Sequence, residues 1–525
     1  MDERDGSRIE ETVALRRRMT RGTASIAFQR LIEVTVSFLL VPYMLHQLGG
    51  AAYGYWVLIY AVASYLNLTD FGVAAALNFH FVSALAARDE PLKREYFSSA
   101  FVYLFTVSAV IFLLGLGLEK WVLAFFPGSH ELGIGANWAW RSMIFILSLG
   151  FLTSYGRSLF MSTHRVATLG MLNTTLAVLY GIAVAIALAF GGGLIGLALA
   201  SAGIAVLRFA LIFGLGASGT PGFKIAFSSV RRAAIGKFWH YGLRVIIARI
   251  ADVVYSTFDR LILGRMLGLD VVAWYDIGAK AAGVAQQGPL VMLPVIEPEA
   301  AGFYAQGETG KLRLLVERAG RYAALVGFPV VVFLLVAGEA MLRIWIGSRV
   351  NQQMIMALSV LVVAYVGMAL TAPLRSVGRG VGQPGWEARA ALLQAVANVV
   401  LSTGLYFLYG FNGVLMGTLI AMLLGQGWMI TMVLPGLKLG IFAFLKASWL
   451  KPLAASLVAG IATWIFLRWG VPLPETGGRV TAFLPGFSAA ALFVVCYAAT
   501  ALGLRATTVT EVVMLFNALR GKNVS

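Results

Sequence analysis

Cysteine is nearly missing from this chain. The 525 residues hold one, Cys496, set in an apolar run, so no disulfide can close within the chain and a cysteine metal cluster is not expected. Charge is scarce as well: 12% of residues are Asp, Glu, Lys or Arg and 59% are hydrophobic, whereas soluble domains carry about 25% charged residues. Acid is the scarcer sign, with 24 acidic against 41 basic side chains and a net charge of +17. Long polar loops are also lacking. The longest external stretches, near 119–137 and 468–483, are too small for a catalytic domain, and no nucleotide-binding loop, metal triad or nucleophile–His pair is visible. These absences exclude a soluble globular enzyme and point to a membrane protein without catalysis. The opening "MDERDGSRIEETVALRRRMTRG" lacks the short apolar core and cleavage site of a signal peptide, and reads as a basic arm entering the first span.

What is present is a series of apolar runs of about 20 residues, the length that crosses a bilayer. They fall near 24–45, 54–82, 96–118, 138–160, 166–190, 194–216, 242–266, 271–299, 321–337, 354–374, 390–409, 414–434, 452–467 and 484–503. This makes an all-α polytopic membrane protein with about fourteen transmembrane helices. Loops on the side of the two termini hold 28 of the 41 basic residues, while the opposite loops hold Lys120, Arg343, Arg349, Arg468 and Arg479. The positive-inside rule puts that richer side, and both termini, in the cytoplasm. The charge of +17 is therefore topology and implies no nucleic-acid partner.

The chain repeats itself. "LGGAAYGYW" (48–56) lies over "LGLDVVAWY" (267–275), "AARDEPLKREYFSSA" (86–100) over "AQGETGKLRLLVERA" (305–319), "RS" (157–158) over "RS" (375–376), and "GGLIGLALA" (192–200) over "GVLMGTLIA" (413–421). Four matches in order at nearly constant offset indicate two halves of the same orientation. The expected organisation is a cytoplasmic arm at 1–23, a lobe of six spans at 24–217, a linker at 218–241 containing "GTPGF", a second six-span lobe at 242–434, and a two-span tail with a cytoplasmic end at 435–525. Parallel halves of this kind are a transporter design with the substrate site between them.

Charges inside the spans share helical faces, since spacings of 3, 4, 7 and 11 fall on one side of a helix. Span 1 offers Arg30, Glu33 and Ser37, and span 2 Tyr60, Asn67, Asp70 and Asn78. Span 7 offers Arg249, Asp252, Ser256, Asp259 and Arg260; span 8 offers Asp276, Lys280, Gly283 and Gln287. A charge at the bilayer centre costs about 2.5–3.5 kcal/mol on insertion scales, so these faces are expected to line one water-filled cavity. Arg30–Glu33 and Arg249–Asp252 also have the spacing of structural ion pairs. With four basic and five acidic members, the set is mixed in sign. Arg265 points off the stripe and reads as a snorkelling anchor; Arg157, Arg244 and Arg375, near cytoplasmic ends, read more as anchors than as headgroup ligands. The Trp-rich "NWAWR" (137–141) reads as an interfacial belt, and the isolated His80 and His240 show no ligand spacing. Pro289, Pro294 and Pro298 should kink or break span 8.

Three stretches carry a resemblance: "LGGAAYGYWVLIYAVASYLNLTDFGVAAALN" (48–78), "PVIEPEAAGFYAQGETGKLRLLVERAG" (294–320) and "NVVLSTGLYFLYGFNGVLMGTLIA" (398–421). Over about residues 20–435 the chain resembles Wzx-type polysaccharide flippases of the MOP exporter superfamily. The resemblance implies two six-helix lobes around a cavity lined by helices 1, 2, 7 and 8, in a bacterial cytoplasmic (inner) membrane. It also implies a polyprenyl-diphosphate-linked glycan, turned from the cytoplasmic to the external leaflet for O-antigen, capsule or exopolysaccharide synthesis, alongside polymerase and chain-length machinery. Arg30, Arg249, Arg260 or Lys280 would suit the diphosphate, and Asn67, Asn78, Gln287 and the carboxylates would suit sugar hydroxyls. No cofactor is implied, although carboxylates beside arginine suit a coupling proton or sodium ion. Rival readings are a cation-coupled drug exporter, a flippase for the peptidoglycan lipid precursor, and a membrane glycan polymerase or ligase.

Overall fold

The computed structural model describes residues 3–70, 73–87, 89–290, 293–471 and 478–508. Among them there is no strand, and the protein is an all-α polytopic membrane protein. The chain forms two compact units, Met1–Ala273 and Trp274–Ser525. The first holds α1 (Glu3–Leu66), α2 (Val73–Ala87), α3 (Glu90–Phe125), α4 (Ile134–Ser162), α5 (Val166–Ala189), α6 (Gly193–Ser218), α7 (Arg232–Met266) and the first turn of α8 (Leu269–Leu290). The second holds the rest of α8, then α9 (Leu293–Ala305), α10 (Thr309–Ile346), α11 (Gln352–Gly380), α12 (Pro384–Gly436), α13 (Ile441–Ser448), α14 (Leu450–Ile465) and α15 (Arg479–Gly503).

Ten helices among the described residues are long and apolar enough to cross a membrane. Two of them hold two expected spans each. α1 turns at Gly49 (φ 80, ψ 173) and α12 at Gly410 (φ 57, ψ −129), so spans 1 and 2, and spans 11 and 12, follow one another without a loop. Only glycine occupies such backbone cheaply, which is why these corners fall where they do. The expected runs at 242–266 and 271–299 are α7 and α8–α9, the charge-bearing helices. Local starts follow capping chemistry: Asp89 accepts from the Leu92 amide with Pro91 in the first turn of α3, and Asn351 accepts from the Met354 amide at the start of α11.

Span 2 departs from expectation. Its helix stops at Leu66, and Asn67–Asp70 form a 3-10 turn before α2. Short polar side chains in "NLTD" offer the backbone local alternatives to the helix, as the Thr69 hydroxyl does in donating to the Leu66 carbonyl. Tyr60, Asn67, Asp70 and Asn78 therefore do not form one continuous helical stripe.

In the first unit, α4 lies against α6 with almost no gap. A Cβ on Gly156 would sit 2.8 Å from Phe213 Cα and 2.9 Å from the Ile212 carbonyl oxygen, and one on Gly216 would sit 2.9 Å from the Gly156 carbonyl oxygen. A core of Phe81, Phe97, Leu104, Tyr155, Leu159 and Phe238 joins α2, α3, α4 and α7, with the Tyr155 hydroxyl donating to the Phe97 carbonyl. α7, expected to open the second lobe, packs on α1, α2 and α3 inside this unit. At the opposite end of α3, Glu119 accepts from Asn137 (2.6 Å) and Arg141 (2.8 Å) of α4. The "NWAWR" stretch is thus a clip as much as a belt: Trp138 is exposed, but Trp140 is fully buried and donates to the Gly115 carbonyl.

In the second unit the halves of α12 close on each other through small residues. Gly417 has no room for a Cβ against the Ser402 backbone, and Gly425 lies against the Gln394 side chain. α14 and α15, the expected two-helix tail, pack on α10, where Gly460 meets Val332 and the Tyr497 hydroxyl donates to the Leu325 carbonyl.

Candidate functional site

In the first unit, polar side chains from α1, α4, α5 and α6 converge. Glu33 accepts a hydrogen bond from Gln29 one turn earlier (2.9 Å), and Gln29 Oε1 accepts a 3.5 Å contact from Asn173 Nδ2 of α5. Glu33 is therefore held by Gln29 rather than by Arg30, which stays on the exposed side of α1. The i, i+3 spacing of Arg30 and Glu33 does not become an ion pair.

The group that sequence reasoning missed is Arg208 on α6. It lies within electrostatic reach of Arg157 on α4, Glu33 and Tyr60 on α1, and Tyr180 on α5. The close crossing of α4 on α6 explains the approach. Arg157 follows Gly156 directly, and Arg208 stands one turn before Ile212, the residue Gly156 touches. Arg208 and Tyr180 are half-buried. Tyr60 is 65% exposed and Arg157 is exposed, so this face is open. The available signal was a lone arginine inside the 26-residue apolar helix "GLIGLALASAGIAVLRFALIFGLGAS"; an ionisable residue within a span is a functional candidate by default. Arg157, read from sequence as an anchor, belongs to the same cluster.

The remaining expected residues are distributed as follows. On α7, Asp259 is buried at 2% exposure, Tyr65 of α1 lies within its reach, and Asp252 is exposed. Arg249 and Arg260 are half-buried, and Arg260 folds back onto the Ser256 carbonyl (2.5 Å). In the second unit, Asp276 and Lys280 pair along α8 at 2.8 Å, with side chains 3% and 34% exposed, and Gln287 is half-buried. Asn67 is exposed on its 3-10 turn, the Asp70 side chain lies outside the described residues, and the Asn78 Oδ1 is buried without a hydrogen-bond partner. Arg265 lies over the Phe125 ring at 5.2 Å, in keeping with an anchor. Among the described residues no group of three His, Cys, Asp or Glu side chains forms a metal site.

The chain is an all-α polytopic membrane protein of two compact units, the first bringing Arg157 and Arg208 within electrostatic reach of each other. Residues 19–298 match the model of the family described as "Polysaccharide biosynthesis protein", and the chain belongs to that family. It is 21% identical over 418 residues to the "Probable flippase AglR" of Haloferax volcanii, covering 78% of this chain and 82% of the relative. Among solved structures it is similar to the lipid II flippase MurJ in an inward closed conformation (TM-score 0.69, 12% identity, 92% of this chain and 99% of that one). It is also similar to an inward-facing multidrug MATE transporter of the MOP superfamily (TM-score 0.60, 15% identity, 79% and 98%). These likenesses establish the fold, and the resemblance to MOP-superfamily polysaccharide flippases drawn from sequence holds.

Proposed function

We propose that the protein carries a polyprenyl-diphosphate-linked oligosaccharide from the cytoplasmic to the external leaflet of a bacterial cytoplasmic membrane, with both termini in the cytoplasm. The observation that supports this reading is Arg208, which has a second arginine, Arg157, and the carboxylate of Glu33 within electrostatic reach. Two guanidinium groups held near each other repel, and the half-buried one, Arg208, is costly to keep charged unless an anion joins them. A diphosphate supplies that charge, with oxygens that match the guanidinium fork. A cationic drug would meet repulsion here, which disfavours the exporter reading that the MATE likeness would otherwise allow. Asn173, Tyr60 and Tyr180 offer donors and acceptors to sugar hydroxyls, and the prenyl chain remains in lipid. Alternating access moves the headgroup, and the α7 carboxylates Asp252 and Asp259 are the groups to which a coupling proton or sodium ion would bind. The reaction is transport without covalent chemistry, and the glycan goes on to a polymerase and chain-length machinery.

The test is deletion of the gene in its host, followed by mass spectrometry of lipid-linked glycans and assay of surface polysaccharide. Accumulation of a polyprenyl-diphosphate oligosaccharide with loss of surface glycan, restored by the wild-type gene and not by Arg208→Gln, is the expected result. Unchanged glycan on both sides would sink the reading and favour the drug exporter.

A further inference from the structure

The repeat gives the second unit its own arginine at the place of Arg157: Arg375, in the second "RS". Its surroundings differ. One Arg375 terminal nitrogen donates to Gln426 Oε1 at 2.7 Å, and the Thr371 hydroxyl is in hydrogen-bond contact with the same oxygen. Gln426 Nε2 donates in turn to Gln394 Oε1 at 3.0 Å. Gln426 and Gln394 are buried, at 5% and 3% exposure, and the Gln394 Nε2 has no acceptor. Each link is set by the one before it, because the arginine can only donate, so Gln426 must turn its oxygen to Arg375 and its nitrogen to Gln394. The chain begins in a cation and ends in an amide donor with nothing to accept from it.

This is not how an anchoring arginine is built. A snorkelling side chain extends its head toward water or lipid headgroups, whereas Arg375 is half-buried and turned onto a buried amide. Nor is it an ion pair. Arg379, one turn further on, forks between Glu297 (2.9 Å) and Glu387 (2.7 Å); Arg375 has neutral partners, with no carboxylate within ion-pair distance among the described residues. A cation fixed in orientation by dipoles and given no counter-charge is pre-organised for an anion brought from outside.

We propose that Arg375, oriented by Gln426 and Thr371, is a phosphate-binding group of the second unit, taking a phosphate borne on a lipid. The proposal rests on the proposed function for its cargo, since that phosphate is either the polyprenyl diphosphate or a bilayer phospholipid headgroup. Arg375 is the ligand-contacting residue, and Gln426 is a positioning residue.

The decisive variant is Gln426→Glu. It keeps the shape and the contact to Arg375 but supplies the missing carboxylate. If Arg375 is merely structural, a salt bridge in place of the amide leaves binding untouched. If Arg375 holds phosphate, the carboxylate competes for it. Full-length protein in phosphatidylcholine nanodiscs is titrated with radiolabelled farnesyl diphosphate, with the apparent unfolding midpoint recorded alongside. We expect affinity to fall about tenfold to a hundredfold in Gln426→Glu, the loss expected when one charge-assisted contact is removed, with the midpoint equal to or above wild type. Arg375→Lys, which keeps charge and loses the fork, should fall less. Preparations made in phosphatidylglycerol and examined by native mass spectrometry cover the other source. Diphosphate binding unchanged, but retained phosphatidylglycerol lost in both variants, assigns the site to bilayer lipid. Wild-type binding and retention in both variants overturns the proposal. Arg208→Gln runs beside them. A loss there alone keeps the proposed function and removes this site, and a loss only in the Arg375 and Gln426 variants does the reverse.

Discussion

Two glycines on α4 should respond in opposite ways to the same added methyl group. Gly156 faces α6, where a Cβ would stand 2.8 Å from Phe213 Cα and 2.9 Å from the Ile212 carbonyl oxygen. Carbon atoms rest at about 3.5–4.0 Å, so Gly156→Ala must part the helices by roughly 0.7 Å or bend one of them, and both obstructing groups are backbone. Overpacking of this kind costs about 1–3 kcal/mol. At roughly 2–4 °C per kcal/mol, the apparent unfolding midpoint should drop by about 2–12 °C. Gly150, six residues earlier on the same helix, has nothing within 4 Å of its Cβ position. Gly150→Ala therefore meets no obstacle and gains up to about 1 kcal/mol from reduced backbone freedom. The assay is a scan of intrinsic fluorescence for wild type and both variants in one detergent at one heating rate. The packing account also has a functional consequence. Spreading α4 from α6 draws Arg157 away from Arg208, so Gly156→Ala should lose more export than its loss of folded protein explains. Equal midpoints for Gly150→Ala and Gly156→Ala would refute the tight crossing and, with it, the reason given for the approach of the two arginines.

Three further outcomes follow from particular contacts. Glu33→Gln removes the carboxylate in reach of Arg208; pyrophosphate should bind several-fold more tightly to the purified protein while glycan export falls, because release of an anion becomes harder. Lys280→Met removes the Asp276–Lys280 ion pair; breaking fully buried pairs costs about 3–5 kcal/mol, and with Lys280 34% exposed the loss should be nearer 1–3 kcal/mol after solvent screening. The double variant Asp276→Asn, Lys280→Met should regain most of the midpoint, and failure to do so would deny the pair. Trp140→Phe removes the hydrogen bond to the Gly115 carbonyl while filling most of the space, and should cost about 1 kcal/mol, read in the same fluorescence scan with the remaining tryptophans.

The helical, polytopic character of the chain was legible because twenty-residue apolar runs and the basic-loop bias are set by the bilayer itself. The corners at Gly49 and Gly410 were legible as gaps between runs, though not that each joins two spans without a loop. Helical faces failed where the helix failed: Asn67 and Asp70 keep their spacing on paper, but the 3-10 turn there destroys the 100° increment on which the stripe depends. Arg30 and Glu33 had the right spacing and do not pair, because Gln29 reaches the carboxylate first. Arg208 was invisible to a search for stripes because it has no charged companion on its own helix. Its companions come from α1 and α4 through a crossing fixed by Gly156 and Gly216, residues that carry no chemistry of their own.

The two units make the division between packing and chemistry explicit. Each brings an arginine of the repeated "RS" against a neighbouring helix held close by glycine: α6 through Gly156 and Gly216 in the first, α12 through Gly367, whose Cβ position lies 3.3 Å from Gln426 Cγ, in the second. The α4–α6 crossing needs its glycines, since a larger residue at Gly156 or Gly216 collides with backbone. It does not need what they bring together. In the first unit Arg208 has Arg157 and Glu33 within electrostatic reach; in the second Arg375 donates to Gln426. Stability alone would favour apolar side chains at the half-buried Arg208 and Arg375, because burying an ionic group is seldom better than burying a hydrophobic one of like volume. The packing of the repeat and the divergence of its charges therefore answer to different demands. If the cargo accounts for the charges, replacing Arg208 by Met should raise the unfolding midpoint or leave it unchanged while abolishing export. A fall of several degrees with export retained would assign the arginine to the fold after all.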